Sequence, residues 1–203
     1  MPFSWDAVAE RYAKARISDP AGYEAGLERV RSHLGPEMRV LEMGCGTGMT
    51  ARKLAPSVAH LTGTDASAAM IGIARRTAAE EGPGNISFEV LPVGGPALAG
   101  EPFDAVLAFN LLHLVEDLGA ALADMAGRVR PGGLIVSKTT CLSAMPVLRP
   151  VVAVMRLVGK APPVLFLSAD DLEEAHGRAG LEIVETRAQR SRPPRHLIVA
   201  RRP

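Results

Sequence analysis

Two cysteines in 203 residues, Cys45 and Cys141, are too few for a disulfide scaffold, and nothing around them has the spacing of a metal site. Isolated cysteines in a chain of this size point to reduced thiols and a cytoplasmic setting, with no bound metal. No apolar run approaches the roughly 20 residues needed to cross a bilayer. The opening residues, Met1-Pro2-Phe3-Ser4-Trp5-Asp6, lack the basic-then-apolar order of a secretory leader, so none is expected. Charge of one sign is also scarce: 23 basic against 22 acidic side chains leave a net +1, which argues against a polyanionic partner. The basic cluster Arg187, Arg190, Arg192 and Arg195 has no aromatic residues interleaved for base stacking, so a solvated hairpin is expected there and no nucleic acid. With 47% hydrophobic residues the chain is long enough for one domain, 1–203, with a sizeable core.

What is present gathers around Val40-Leu41-Glu42-Met43-Gly44-Cys45-Gly46-Thr47-Gly48-Met49-Thr50. An apolar run enters a turn with glycine at alternate positions, and a helix-compatible segment leaves it. Glycine is required where the backbone takes positive φ or lies against a ligand with no Cβ between them. A second apolar run, Ala59 to Thr64, ends at Asp65, 23 residues after Glu42. An acid at the tip of the second strand of a βαβ unit can accept hydrogen bonds from both hydroxyls of a ribose. The glycines run G-x-G-x-G and not G-x-G-x-x-G, no P-loop lysine follows, and Glu42 beside the turn would repel phosphate. The turn therefore suits a nucleoside whose tail is not a phosphate.

The remaining elements follow from pattern. Trp5, Val8, Ala9 and Tyr12 recur at helical spacing, and a second helix is expected from Asp19-Pro20 to a stop at Gly35-Pro36. Ser67 is placed to cap a helix whose apolar side is Met70, Ile71, Ile73 and Ala74. Ile86 to Leu91 forms a short strand, with Phe88 and Val90 on one face and Glu89 towards solvent. Asp104 to Asn110 is nearly continuous in apolar residues, as a central parallel strand buried on both faces requires. A helix with Leu118, Leu122, Met125 and Val129 as its buried stripe precedes a turn at Arg130-Pro131-Gly132-Gly133 and a strand from Leu134 to Thr139. Ser168 and Asp171 form a variant capping box for the last helix, and Leu181 to Thr186 with His196 to Ala200 close the sheet.

The glycine turn followed by Thr64-Asp65-Ala66-Ser67 resembles the class I S-adenosylmethionine-dependent methyltransferases. Phe103 to His113 is similar to that family's fourth-strand motif, and Val129-Arg130-Pro131-Gly132-Gly133-Leu134 to its turn into strand five. The resemblance covers most of the chain and is strongest to the small bacterial enzymes related to the ubiquinone and menaquinone C-methyltransferases. It implies a Rossmann-like α/β three-layer sandwich, with a mostly parallel seven-stranded sheet, an antiparallel edge strand and helices on both faces. It implies S-adenosylmethionine as cofactor, held by Tyr12, Glu42, Gly44, Cys45, Gly46, Asp65, Ala66, Met70, Leu91, Pro92 and Asn110. Many relatives end strand three in Gly-Asp, whose carboxylate accepts the adenine amino group. This chain reads Val90-Leu91-Pro92 there, so backbone and apolar contact around Leu91 to Val93 must serve instead.

Several residues keep two readings. Trp5 and Tyr12 either meet the methionine end of the cofactor or simply pack an amphipathic helix, and Met70 either lies on the adenine or faces the sheet. His113, at the fourth-strand tip, is the candidate general base if the acceptor is a hydroxyl or an acidic carbon, and otherwise merely lines the cavity. Residues 1–35 are expected to form a helical cap and 140–167 a lid-like insertion. In that insertion Arg149, Arg156 and Lys160 stand 7 and 4 apart on one stripe of an otherwise apolar helix. Such a helix covers an apolar pocket, rests on anionic lipid in a peripheral membrane contact, or packs with three solvated cations. The lid reading implies a small-molecule acceptor that is apolar or aromatic. No Asn-Pro-Pro-Tyr motif appears, which argues against methylation of a nucleobase or glutamine amide. Two other functions share the βαβ logic: a cofactor-binding protein of this fold with lost catalysis, and a nicotinamide-dependent oxidoreductase, whose longer glycine spacing is absent.

Overall fold

A computed structural model describes residues 3–99, 101–189 and 191–203. Seven strands form one sheet: β1 (Arg39–Met43), β2 (His60–Asp65), β3 (Ile86–Val90), β4 (Phe103–Phe109), β5 (Val129–Thr140), β6 (Glu182–Gln189) and β7 (Arg195–Arg201). Their spatial order is β3-β2-β1-β4-β5-β7-β6, parallel except for β7, which pairs antiparallel with both neighbours. The order reverses between β1 and β4, which is where open α/β sheets leave a crevice at their carboxyl ends. The expected fold class is the observed one, with β7 and β6 forming an antiparallel pair at one edge and β6 outermost.

The described residues form seven α-helices: α1 (Trp5–Ala13), α2 (Pro20–Arg31), α3 (Met49–Leu54), α4 (Ala68–Glu81), α5 (Leu118–Arg128), α6 (Leu148–Leu157) and α7 (Ala169–Arg178). Their starts obey the expected capping chemistry. Asp19 accepts the Gly22 amide with Pro20 in the first turn, Ser67 accepts from Met70, and Ser168 and Asp171 complete a capping box. Proline 56 ends α3, and a single 3-10 turn over Ala55–Ser57 follows it.

Two apolar layers enclose the sheet. One gathers Phe103, Leu122, Met125, Leu172 and Ile198 beneath α5 and α7, and the other gathers Leu27, Leu54, Leu61, Ile71 and Val199 beneath α2, α3 and α4. Strand β4 is buried from Ala105 to Ala108, as its unbroken apolar run requires.

Three elements differ from their sequence reading. Val90 is 46% exposed while Phe88 is buried, because β3 is the sheet edge and its last residues stand clear of α4. The strand-five segment begins at Val129, and the Pro131-Gly132-Gly133 turn appears as a register shift within β5. The expected basic hairpin loop is largely strand, since Arg187 belongs to β6 and Arg195 to β7, while Arg190 lies outside the described residues.

Candidate functional site

The carboxyl ends of β1, β2 and β4 open into a cleft of about 570 Å³, walled by α1 on one side and by residues 91–94 and the start of α5 on the other. At its floor the chain leaves β1 through Gly44, Cys45 and Gly46. Gly46 has φ +55° and its amide donates to Asp65 Oδ2 at 2.9 Å, while an added Cβ there would point towards the Tyr12 ring at 3.7 Å. Gly48, at φ +73°, admits Phe88 so closely that a Cβ would lie 2.6 Å from its ring. The first glycine leaves bare main chain under the cleft, and the second lets α3 dock against β3.

Asp65 ties the floor together. Its Oδ1 accepts the Ser67 amide at 2.9 Å, and the Leu91 amide donates to its carbonyl at the same distance. Each carboxylate oxygen retains a second lone pair for a ligand hydroxyl. Burial raises the Asp65 pKa, while the Ser67 and Gly46 amides work against the rise. Tyr12, Gly44, Gly46, Asp65, Ala66, Met70, Leu91, Pro92 and Asn110 all line this one cleft. Asn110 turns through φ +55° at the end of β4, a conformation costly for residues with a Cβ but tolerated by asparagine. Thr140 donates to its side-chain oxygen at 3.4 Å.

Three expected site residues stand elsewhere. Glu42 lies behind the turn, 2% exposed, with Oε2 unpartnered, because β1 alternation points it into the protein under the glycines. Burial first, and the Asp65 charge second, push its pKa up to about 8. Cys45 is buried beneath the same turn, its thiol against the Gly46 carbonyl and its pKa raised by burial and by Glu42 and Asp65. Of these two, only neighbouring glycine backbone reaches the cleft. His113 is absent from the wall: its carbonyl accepts the Leu165 amide at 2.8 Å, which turns the residue towards the segment after β5. Its pKa falls to about 4, through burial and then the charge of Arg195, so the ring is neutral at pH 7.

The cleft also uses residues beyond those named from the sequence, together with Val93 from the expected Leu91 to Val93 stretch. Val93, Gly94, Leu111, Leu114, Glu116 and Asp117 line it. Glu116 and Asp117 look in sequence like an ordinary acidic helix start, and Asp117 does cap α5 by accepting the Ala120 amide. Their second position, facing the crevice, depends on how α5 packs against residues 91–94, whose Gly94 amide donates to Asp124, and this is long-range information. Among the described residues the wall thus carries Asp65, Glu116 and Asp117 and no Lys, Arg or His.

Helix α1 is fastened over this floor by Asp6, whose Oδ1 accepts from Ser67 Oγ at 2.6 Å and from the Ala69 amide at 2.9 Å. These two bonds hold the Asp6 pKa below its usual value. Trp5 and Tyr12 of α1 consequently line the cleft together, edge to face at 6.3 Å. From residue 140 to 167 no side chain lines it.

Fold and cleft together define a Rossmann-like nucleoside-binding protein whose site favours a cationic tail over a phosphorylated one. Residues 40–133 match the family described as a methyltransferase domain. The chain is 38% identical over 102 residues to a ubiquinone biosynthesis O-methyltransferase from Sinorhizobium fredii, covering 50% of this chain and 41% of that protein. It is 28% identical over 199 residues to the like-named protein of Parvibaculum lavamentivorans, covering 91% and 78% respectively. Matches to the first two such relatives thus span less than half of their length. Among solved structures, the N-methyltransferase NodS of Bradyrhizobium japonicum WM9 with S-adenosyl-L-homocysteine aligns over 98% of both chains, with TM-score 0.70 and 22% identity. The cyclase SpnF aligns over 94% of this chain with TM-score 0.73 and 17% identity, a likeness of fold alone. Across residues 40–133 the chain is similar to methyltransferase domains, and in fold to S-adenosylmethionine-dependent methyltransferases.

Proposed function

We propose that this protein transfers the methyl group of S-adenosylmethionine to a small apolar or aromatic acceptor related to quinones. The observation that carries the reading is the charge of the cleft: three carboxylates and, among the described residues, no cation around bare main chain suit an adenosyl sulfonium and repel a pyrophosphate. An orphaned, mostly protonated Glu42 behind the turn supports it, because a cation above the glycines would supply the charge that this carboxyl lacks. The quinone relation rests on the names of the relatives.

In this reading Asp65 accepts the ribose hydroxyls, the amides and carbonyls about Gly44 and Gly46 meet the methionine end, and Met70 with Leu91 to Val93 sandwiches the adenine. Glu116 or Asp117 takes the place of the acid missing from the end of β3. The bound cofactor supplies an electrophilic methyl group. The chain supplies orientation and exclusion of water: Trp5 and Tyr12 close the cleft from α1, and Leu111 and Leu114 form its apolar wall towards the acceptor. His113 is a general base only in a state that brings it to Asn110.

Residues 1–35 serve as the cap. For 140–167 the geometry favours a peripheral membrane contact over the lid. Helix α6 has no buried residue, Val151 and Val154 are 52% and 60% exposed, and no acidic residue occurs from Met125 to Ala169. An aliphatic face beside cations suits an anionic bilayer, from which a lipophilic acceptor could be drawn.

Calorimetric titration with S-adenosylhomocysteine, NAD and NADP tests the cofactor: tight binding of the first alone is expected, and binding of either nicotinamide nucleotide instead would refute the reading. A product-mass screen across quinones, phenols and catechols then seeks a gain of one methyl. Binding without turnover on any acceptor would favour the catalytically silent alternative.

A further inference from the structure

Outside the cleft, the sheet carries a second cavity of about 870 Å³, where the end of β5, the start of α7 and the β6–β7 turn meet. Its wall includes Cys141, Ser168, Asp170, Arg192, Arg195 and His196. Four of the five buried side-chain atoms that lack a partner among the described residues lie along this end of the sheet: His113 Nδ1, Thr139 Oγ1, Arg195 Nε and His196 Nδ1. Thr139 pairs with His196 and Thr140 with Arg195, so Thr139 and His196 share one face of the sheet, while Arg195, the preceding residue of β7, leaves from the other face at the strand end. His196 is 5% exposed and uses only Nε2, towards Glu173 at 2.8 Å.

Buried polar groups without partners mark either a cost or a ligand. Here the unpaired atoms come with an excess of positive field. Arg192 and Arg195 share the wall with one carboxylate, Asp170, and burial first and the charge of Arg195 second lower the pKa of both His113 and Lys138. The first turn of α7 adds amides that no helical carbonyl can take: Ser168 caps the Asp171 amide, while those of Ala169 and Asp170 face the same end of the helix.

We propose that this cavity is a carboxylate-binding subsite, with Arg195 as its anchor, and that it holds the far end of the acceptor. The inference rests on the methyltransferase reading only for that last role. Arginine Nε and one terminal nitrogen form a planar fork that fits the two oxygens of a carboxylate, and an orphaned Nε is the half of that fork left open. A monoanion is favoured over a phosphate dianion, because Asp170 shares the wall and Glu173 stands behind His196. Position supports the link to the cleft. From Asn110 at the tip of β4 to Arg195 is a step of two strands, β4 to β5 to β7, or about 10 Å. Thr140, which pairs with Arg195, donates to Asn110 of the cleft wall along that path. An amphiphilic aromatic acid would span that distance with its reactive end at the cleft.

The full-length chain saturated with S-adenosylhomocysteine is titrated with benzoate, benzamide and inorganic phosphate while the Arg195 Nε–H resonance is followed by NMR. Benzoate is expected to saturate and shift that resonance, binding roughly tenfold or more tightly than benzamide or phosphate. Arg195→Gln should abolish the shift and the benzoate affinity while leaving homologue affinity unchanged. Should that variant fail to fold, Arg195→Lys, which keeps charge without the fork, should bind benzoate and phosphate alike. Equal binding of benzoate and benzamide, tighter binding of phosphate, or undiminished benzoate binding by Arg195→Gln would overturn the assignment. Failure of the homologue to bind, with benzoate still bound, would instead count against the cofactor reading alone.

Discussion

Single residues at the cleft floor carry more than one duty, and their substitution should show both. Asp65 accepts two amides from its own chain as well as its proposed ligand hydroxyls. Asp65→Ala is therefore expected to lower stability by about 2 kcal/mol, from two amides left without acceptors. Affinity for S-adenosylhomocysteine should fall about 100-fold, from the loss of charge-assisted bonds to ribose. Chemical denaturation and calorimetry read the two effects separately. A variant with full affinity would remove the ribose assignment. Glu42 offers a test by pH. Its folded pKa of about 8 stands above the ordinary value of 4.5, so between those values the folded chain holds a proton that the unfolded chain has released. Its contribution is complete below pH 4.5 and is lost as pH rises through 8, so apo stability should decline across that window. Glu42→Gln should flatten the decline. A cationic ligand above the turn favours the ionised form, so binding at pH 7 should release protons from the wild type and not from Glu42→Gln, as calorimetry in buffers of different ionisation enthalpy would show.

At the scale of elements, what the sequence revealed and what it concealed divide by range. The strand, glycine turn and helix around Gly44 to Gly48, the Ser67 and Ser168 caps and the buried run of β4 are local patterns, and each stands where its residues indicate. Glu116 and Asp117 facing the cleft, Glu42 and Cys45 hidden behind it, and His113 turned towards Leu165 depend on how distant elements meet, which one-dimensional spacing does not encode. The fastening of α1 is of the second kind, since Asp6 in the first helical turn finds Ser67 and Ala69 some 60 residues away. Asp6→Ala should free α1, raising amide exchange over residues 5–13 and weakening homologue binding several-fold, with little change in midpoint of thermal unfolding. Helix α6 should behave in the opposite way to a core element. The pair Val151→Asp and Val154→Asp should leave stability within about 0.5 kcal/mol, since both side chains already face solvent, yet abolish co-sedimentation with vesicles containing anionic lipid. Retained sedimentation would return the segment to the role of lid.

For the molecule as a whole, the question is how a chain without the acid at the end of β3 keeps an adenine wall in place. Residues 91–99 form no regular element, yet they follow β3 and line the cleft from Leu91 to Gly94. Arg128, 4% exposed at the end of α5, donates to Glu101 at 2.7 Å, to Asp124 at 2.8 Å, and to the carbonyls of Gly95 and Pro96. Asp124 in turn accepts the Gly94 amide at 2.7 Å, and Glu101 accepts that of Leu98 at 3.0 Å. One guanidinium thus joins the packing of α5 to the shape of the loop. Removing one partner of such a buried network leaves the others as uncompensated charge, a loss of about 3–5 kcal/mol. Arg128→Met is expected to lose that much stability and to weaken homologue binding. The discriminating variant is Asp124→Asn, which keeps the side-chain volume and an acceptor for the Gly94 amide but loses the negative charge beside Arg128. If the network sets the adenine wall, Asp124→Asn should weaken adenosine and S-adenosylhomocysteine by the same factor, because both carry the base and only one carries the amino-acid tail. A loss confined to S-adenosylhomocysteine would place the adenine elsewhere, and with it the orientation of the methyl donor in the cleft.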